Sequence, residues 1–193
     1  MSAPSLKPMS VDEYLRTEEL SPYKREYVGG YVYPLHSGVR AQAGASRGHV
    51  LICGNISEAL RSVGLSRGCL TCTSDMKLKI ERPGNFYYPD VMVVCVQDVA
   101  DLSVTYETAP CLLVEVLSDR TAQNDRLAKH AAYTSIPSLQ TYLIVAQKER
   151  RVYVYQRTGT GWSASEMAGH GSIDMPCLGT VLTLDQIYRA LPI

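Results

Sequence analysis

Phe86-Tyr87-Tyr88-Pro89-Asp90-Val91-Met92-Val93-Val94-Cys95-Val96, followed after a connector by Pro110-Cys111-Leu112-Leu113-Val114-Glu115-Val116-Leu117-Ser118, is the stretch that decides the fold. Both halves are apolar runs of strand length, rich in β-branched residues. Their apolar residues are continuous rather than alternating, which predicts strands covered on both faces. Asp90 opens the first run and Glu115 lies near the end of the second. A glutamate inside Leu-Leu-Val-Glu-Val-Leu is costly unless it is paired, protonated or bound to a metal. If the two strands are neighbours, the carboxylates approach each other. Two like charges about 4 Å apart at an effective dielectric near 20 repel by roughly 4 kcal/mol. A shared proton, a lysine or a divalent cation would offset that repulsion. A plain structural role, with Asp90 at a strand start and Glu115 meeting a buried Arg or Lys, accounts for the same residues.

Outward from this stretch, composition sets the class. At 193 residues, 46% hydrophobic and 20% charged, the chain is expected to form one domain over residues 1–193, with residues 1–8 flexible. No run reaches the roughly 18 apolar residues of a membrane span. Met1 to Pro8 lacks the apolar core of a secretory signal, so a cytoplasmic location is expected. A formal net charge of +0 and a pI near 6.9 argue against tight non-specific binding to nucleic acid, though not against a local basic patch. The six cysteines are expected to be reduced thiols. Cys69 and Cys72 have a tempting spacing, but residues three apart on a strand face opposite sides and no second pair accompanies them.

Before the deciding stretch, Ser10 and Glu13 mark a helix start. Tyr23 to Tyr33 reads as a hairpin turning at Gly29-Gly30, with Glu26 just ahead of the turn. Leu35 to Gly48 reads as a loop. Ser46 caps a predicted helix over Arg47–Val63, whose apolar stripe is Val50, Leu51, Gly54, Ile56 and Leu60 and which Gly64 ends. Cys69 to Ile80 reads as one strand. Gln97 to Ala109 is a connector, and Ser118 a turn or N-cap residue. A helix follows over Ala122–Tyr133, stopped by Ile136-Pro137. Strands over Leu139–Ala146, Arg151–Arg157 and Trp162–Met167 and a short helix over Leu184–Leu191 complete the chain. This order predicts an α/β (α+β) domain: a mixed central sheet flanked by helices, an N-terminal hairpin and C-terminal antiparallel strands. The strand–helix–strand step from Glu115 through Lys129 to Leu143 is a candidate parallel crossover.

Asp90 and Glu115 on adjacent strands suit a magnesium ion, which prefers one or two carboxylates and several waters. Such an ion can activate water and neutralise charge on a phosphate. Lys129, on the next helix, reaches the site if that helix folds back on the sheet; otherwise it is a solvated lysine. Glu26 is a third acid, or an exposed carboxylate at a hairpin edge. His49 lies in the first turn of a helix, where an anion is favoured, or is a loop-packing residue. Ser118 has no Gly-x-Ser-x-Gly elbow. The glycines from Gly38 to Gly48 lack the Lys-Ser/Thr of a phosphate-binding loop.

Pro89-Asp90, Val114-Glu115-Val116-Leu117-Ser118 and then Lys129 with Tyr133 resemble the PD-(D/E)XK nuclease superfamily. Nearly the whole chain, from Met9 to Leu184, is similar to its Uma-type restriction-endonuclease branch, with Tyr27-Val28-Gly29-Gly30, Ser74-Asp75-Met76-Lys77 and Ile136-Pro137-Ser138-Leu139 as further matching stretches. The resemblance implies a restriction-endonuclease-like core and an endonuclease acting on DNA, with Mg2+ or Mn2+ held by Asp90 and Glu115. It brings in Glu26 beside Asp90, Glu115 and Lys129 as catalytic residues. His49, Lys77 and Arg126 are candidate substrate contacts. One departure stands out: where the superfamily has lysine two residues after the glutamate, this chain has Leu117. Either Lys129 replaces it, or the fold is a catalytically inactive binding or interaction module. A hydrolase of small phosphoesters is a third reading. Arg47, Lys77, Lys79, Arg126 and Lys129 give few phosphate contacts, so DNA affinity is expected to be modest and salt-sensitive. A homodimer would double that surface, and the tyrosine-rich Val152-Tyr153-Val154-Tyr155 would add a flat contact.

Overall fold

The computed structural model describes residues 7–35, 45–82, 84–95, 101, 103–117 and 123–193, the side chains of 123–126 excepted. Helix α1 (Val11–Glu18) precedes the hairpin of β1 (Arg25–Val28) and β2 (Tyr31–Pro34). Helix α2 (Arg47–Ser66) leads to β3 (Cys69–Thr73), β4 (Lys77–Ile80), β5 (Asn85–Tyr87) and β6 (Val91–Cys95). A short β7 (Tyr106–Glu107) and β8 (Pro110–Val116) come next, then α3 (Gln123–Thr134) and β9 (Thr141–Val145). The chain ends with β10 (Arg151–Arg157), β11 (Trp162–Ala168), β12 (Ser172–Met175), a 3-10 turn at Pro176–Leu178, β13 (Thr180–Thr183) and α4 (Leu184–Ile187).

β6 and β8 of the deciding stretch lie side by side in a six-stranded sheet of order β11-β10-β9-β8-β6-β3. β6 and β8 run antiparallel, with Val91 opposite Val114, and β8 and β9 run parallel across the α3 crossover. Both faces are covered. Val91, Val93, Leu112, Val114, Leu143 and Val145 pack with Ile52, Ile56 and Leu60 of α2. Met92, Val94, Leu113, Tyr142 and Ile144 pack with Tyr133 and Ile136 at the end of α3. The period-2 alternation of the strand thus separates two apolar layers, and the unbroken apolar run follows from both being buried.

The run from Phe86 does not stay in one sheet. β5 belongs to a second sheet, β2-β1-β5-β4-β7, and β6 to the central one. The chain crosses between them at Tyr88-Pro89-Asp90. Likewise Cys69 to Ile80 is two strands rather than one: β3 is the edge of the central sheet and β4 lies in the second sheet. Ser74 and Asp75 turn the chain between them, with Met76 N–H donating to Thr73 O at 3.0 Å. Turn geometry at Ser-Asp overrides the alternation of the flanking residues. The crossing at Tyr88 is anchored by buried Glu18. Its Oε1 accepts from Tyr88 Oη (2.9 Å) and from the Arg25 N–H (2.9 Å), and Oε2 accepts from Arg25 Nε (2.7 Å).

Ser10 caps α1 by accepting the Glu13 N–H, as predicted. Gly29 and Gly30 have φ of 59° and 88°, the left-handed pair that a two-residue hairpin turn requires. Of the predicted α2 stripe, Ile56 and Leu60 are buried, while Val50, Leu51 and Gly54 are exposed; Ile52 and Gly64 complete the buried face. Gly64 does not end the helix but sits within it, where a Cβ would come 3.2 Å from the Cys69 carbonyl oxygen. Close approach of α2 to β3, not a left-handed cap, explains this glycine. Cys69–Cys95 and Cys111–Cys177 are disulfides, and Cys53 and Cys72 are free, which corrects the expectation of six reduced thiols. Cys69 and Cys95 are directly opposite on β3 and β6, a pairing that needs the strand register and is invisible to spacing. The predicted tyrosine face of β10 is half-buried: Tyr155 stacks on Tyr142 with ring centroids 5.7 Å apart and meets the His130 ring at 4.4 Å. No helix among the described residues is long and apolar enough to cross a membrane. The predicted connector lies partly, and Ser118 wholly, outside the described residues.

Candidate metal and carboxylate site

Asp90 immediately precedes β6, and the register continued one step from Val91–Val114 sets it opposite Glu115 on β8. Its Oδ2 accepts the backbone N–H of Val116 at 2.7 Å. Its Oδ1 lies 3.1 Å from His49 Nε2, which α2 delivers from its first turn. Ser46 caps that turn, accepting the His49 N–H at 3.1 Å while donating to Gln147 Oε1 at 2.6 Å. Gln147 Nε2 in turn donates to the Leu117 carbonyl at 2.5 Å. One amide side chain therefore ties the helix end that carries His49 to the strand end that carries Glu115.

Glu115 projects to the α3 side of the sheet, the side of Leu113. Tyr133 Oη donates to Glu115 Oε1 at 2.7 Å and Lys129 Nζ lies 3.5 Å from the same oxygen. Lys129 and Tyr133 are four residues apart on α3 and share a face. Lys129 is buried at 7% exposure, and its Nζ also lies 2.9 Å from Glu26 Oε1. Glu26 is itself buried at 8% exposure. The alternative readings of a solvated lysine and an exposed hairpin acid are thereby excluded.

Burial pushes the Glu115 carboxyl up to about 7; Lys129 and Tyr133 pull it down, Asp90 and Glu26 push it further up. The hydrogen bond to Asp90 raises His49 against its burial. Burial pushes the Tyr133 phenol well above its ordinary value. Cys53, one helical turn after His49, has its thiol raised by burial and by the Asp90 and Glu115 charges. The donor atoms of His49, Cys53 and Asp90 all lie within 4.8 Å of one another.

Of the residues expected at the site, Asp90, Glu115, Lys129, Glu26 and His49 come together. Lys77 lies apart on β4, its Nζ 5.9 Å from the centroid of the Tyr88 ring. Arg126 is on α3, but its side chain lies outside the described residues. Leu117, at the position of the missing lysine, packs against the α3-side core, and its N–H donates to Val145 O at 2.8 Å. The hydrogen-bonding role of Tyr133 and the proximity of Cys53 were not anticipated. Both follow a recognised residue by four positions on a helix, and that spacing carries the signal.

A mixed sheet between helices, with an acid at the start of one central strand, an acid in the next and a lysine on the following helix, defines a restriction-endonuclease-like protein. The chain belongs to the Uma2 family, whose model, described as "Putative restriction endonuclease", matches residues 11–185. Two uncharacterized proteins of Synechocystis sp. are similar along their length. One, slr1290, is 33% identical over 192 residues, covering 98% of this chain and 96% of the relative. The other, sll1609, is 34% identical over 174 residues, covering 89% and 94%. A solved structure from Anabaena variabilis, titled "a putative nuclease belonging to DUF820", has the same fold, with a TM-score of 0.72 at 15% identity over 93% of this chain and 97% of that one.

Proposed function

We propose that the protein is a metal-dependent endonuclease that hydrolyses phosphodiester bonds in DNA in the cytoplasm. The observation that carries this reading is that Glu26 and Glu115 share the Lys129 ammonium while Asp90 lies opposite Glu115 on the neighbouring strand, fastened to the Val116 N–H. Among the described residues three carboxyl groups, Glu26, Asp90 and Glu115, gather with Lys129 and His49. A divalent cation would offset the repulsion among these acids and favour their ionised forms. The donor set is also right, since opposed carboxylates from adjacent strands suit Mg2+ or Mn2+. Asp90 and Glu115 would hold the ion, which when bound supplies Lewis-acid stabilisation of phosphate charge. Asp90 is held in place by the Val116 N–H, and Glu115 by Tyr133 Oη. Lys129, from the following helix, would take the part of the lysine that the superfamily carries on the strand. Its ammonium favours charge developing on a phosphate oxygen and keeps Glu115 and Glu26 together. His49 is placed to orient Asp90 or to meet a phosphate at the start of α2.

Membership of a restriction-endonuclease-like family and the nuclease-like fold support DNA as the substrate. A neutral net charge limits affinity, so binding is modest and weakens with salt. The test is cleavage of supercoiled plasmid and single-stranded DNA with Mg2+ or Mn2+, comparing wild type with Glu115→Ala. Cleavage lost in a folded variant supports the reading. A folded wild type that cleaves nothing with either ion refutes it. That result would favour a DNA-binding or interaction module, for which Leu117 in place of the strand lysine is the specific observation.

A further inference from the structure

We propose that Asp90 serves a second metal seat, formed with His49 and Cys53, that takes a thiophilic divalent ion of the zinc class and silences the carboxylate site by occupying Asp90. This inference rests on the nuclease reading only for its effect on activity; the seat itself stands on the geometry of three side chains. His49 and Cys53 are four residues apart on α2, so their side chains project from one face, one turn apart. That face meets the start of β6, where Asp90 Oδ1 lies 3.1 Å from His49 Nε2. The donor atoms of all three residues fall within 4.8 Å of one another, and each residue is half-buried.

In a tetrahedral centre with bonds of about 2.0–2.3 Å, ligand atoms stand roughly 3.3–3.7 Å apart. The His49–Asp90 pair is therefore close to ligand spacing already, and the others need at most about 1.5 Å of closure from the 4.8 Å limit, within reach of a χ1 adjustment. Imidazole nitrogen, thiolate and carboxylate oxygen form a mixed set that selects zinc-like ions over magnesium, which accepts oxygen donors and avoids sulfur. Three protein ligands also leave a fourth position open, as in sites that exchange their metal. Binding would displace the thiol proton of Cys53 and any second proton on the His49 ring to solvent, leaving S–metal and N–metal bonds in place of S–H and N–H. Asp90 cannot then serve the Glu115 site unchanged. The thiolate separates this seat from the magnesium site. Glu115 and Lys129 lie on the α3 side of the sheet, whereas Cys53 packs against the α2-side core.

The experiment uses Co2+ as the probe, added without reductant to wild-type protein and to Cys53→Ser, Cys53→Ala and, as a control, Cys72→Ser, with folding followed by circular dichroism. A near-ultraviolet thiolate-to-cobalt charge-transfer band is expected in wild type and Cys72→Ser and absent from both Cys53 variants. The companion measurement is Zn2+ inhibition of Mg2+-supported DNA cleavage, with each protein normalised to its own uninhibited rate. Inhibition of the Cys53 variants is expected to need at least about tenfold more Zn2+. A cobalt band that is missing in wild type, or that persists in folded Cys53 variants, overturns the seat. Wild-type cleavage with the band missing would refute the seat and leave the nuclease reading standing. No cleavage, with the band present and dependent on Cys53, would refute the nuclease reading and leave the seat.

Discussion

Asp90 Oδ2 accepts the backbone N–H of Val116, 2.7 Å away, so one of the two site acids is fastened to the strand that carries the other. Removing the acceptor should strand a partly buried N–H, at a cost of about 1–3 kcal/mol. Asp90→Ala is therefore expected to be less stable than wild type by that amount, whereas Asp90→Asn, which keeps an acceptor oxygen, should lose less. Both should lose any Mg2+-dependent rise in melting temperature. Thermal denaturation with EDTA and with Mg2+ separates the two effects. A wild-type-like Mg2+ shift in Asp90→Ala would remove Asp90 from the metal set.

Lys129 bridges Glu26 and Glu115 in a buried position, so deleting it leaves two acids without their common cation. Lys129→Met is expected to cost about 3 kcal/mol, as for other broken buried pairs. Adding Glu26→Gln should recover part of that loss, because the two changes remove a shared interaction and cannot be additive. Urea denaturation of the two single variants and the double variant gives the coupling. Strict additivity would mean that Lys129 and Glu26 do not interact in solution.

Glu115 is raised to about 7 chiefly by burial. Its folded carboxyl thus holds a proton that the unfolded chain releases. The resulting stability is complete below the ordinary glutamate value and is lost as the pH climbs from about 4.5 to about 7, an effect of roughly 3 kcal/mol at most. Glu115→Gln, which never ionises, should exceed wild type in stability by about 1–3 kcal/mol near pH 8 in EDTA, and by little or nothing near pH 5. A gap that does not change with pH would show that Glu115 titrates normally.

Much of this site was legible because charged residues in apolar runs are costly and few. Asp90 and Glu115 stood out against Val-Met-Val-Val and Leu-Leu-Val, and the apolar runs themselves implied the doubly covered strands that β6 and β8 form. Lys129 and Glu26 were ambiguous from spacing, since a helix lysine and a hairpin glutamate are ordinarily solvated. Tertiary packing of α3 onto the β1 side of the molecule, not local pattern, buries them together. The splits at Ser74-Asp75 and Tyr88-Asp90 were missed because alternation continues across a sheet crossing even when hydrogen-bond partners change. The α2 stripe holds at Ile56 and Leu60 and fails at Val50 and Leu51, which are apolar but exposed. Ile52, four residues before Ile56, fits the helical period equally well and takes the buried place.

The two disulfides bear on the strands that hold the site. Cys69–Cys95 joins edge strand β3 to β6, the strand that Asp90 opens. Cys111–Cys177 joins β8, four residues before Glu115, to the turn after β12. The two bridges adjoin, with Cys95 Sγ 3.6 Å from Cys111 Sγ. Each closes a loop whose entropy in the unfolded chain corresponds to about 3–4.5 kcal/mol. Thiol titration of the denatured, oxidised protein should find the two free cysteines, Cys53 and Cys72, and titration after reduction all six. Reduction should also lower the melting temperature, and Cys69→Ser should lower the stability of the oxidised protein by about 3–4 kcal/mol. Since β3 is an edge strand, the loss should appear first as faster amide exchange along Cys69–Thr73. Six titratable thiols in the protein as purified under air, with no response of the melting temperature to reductant, would show that these sulfurs lie together without bonding. The strand register alone would then hold β3 to β6.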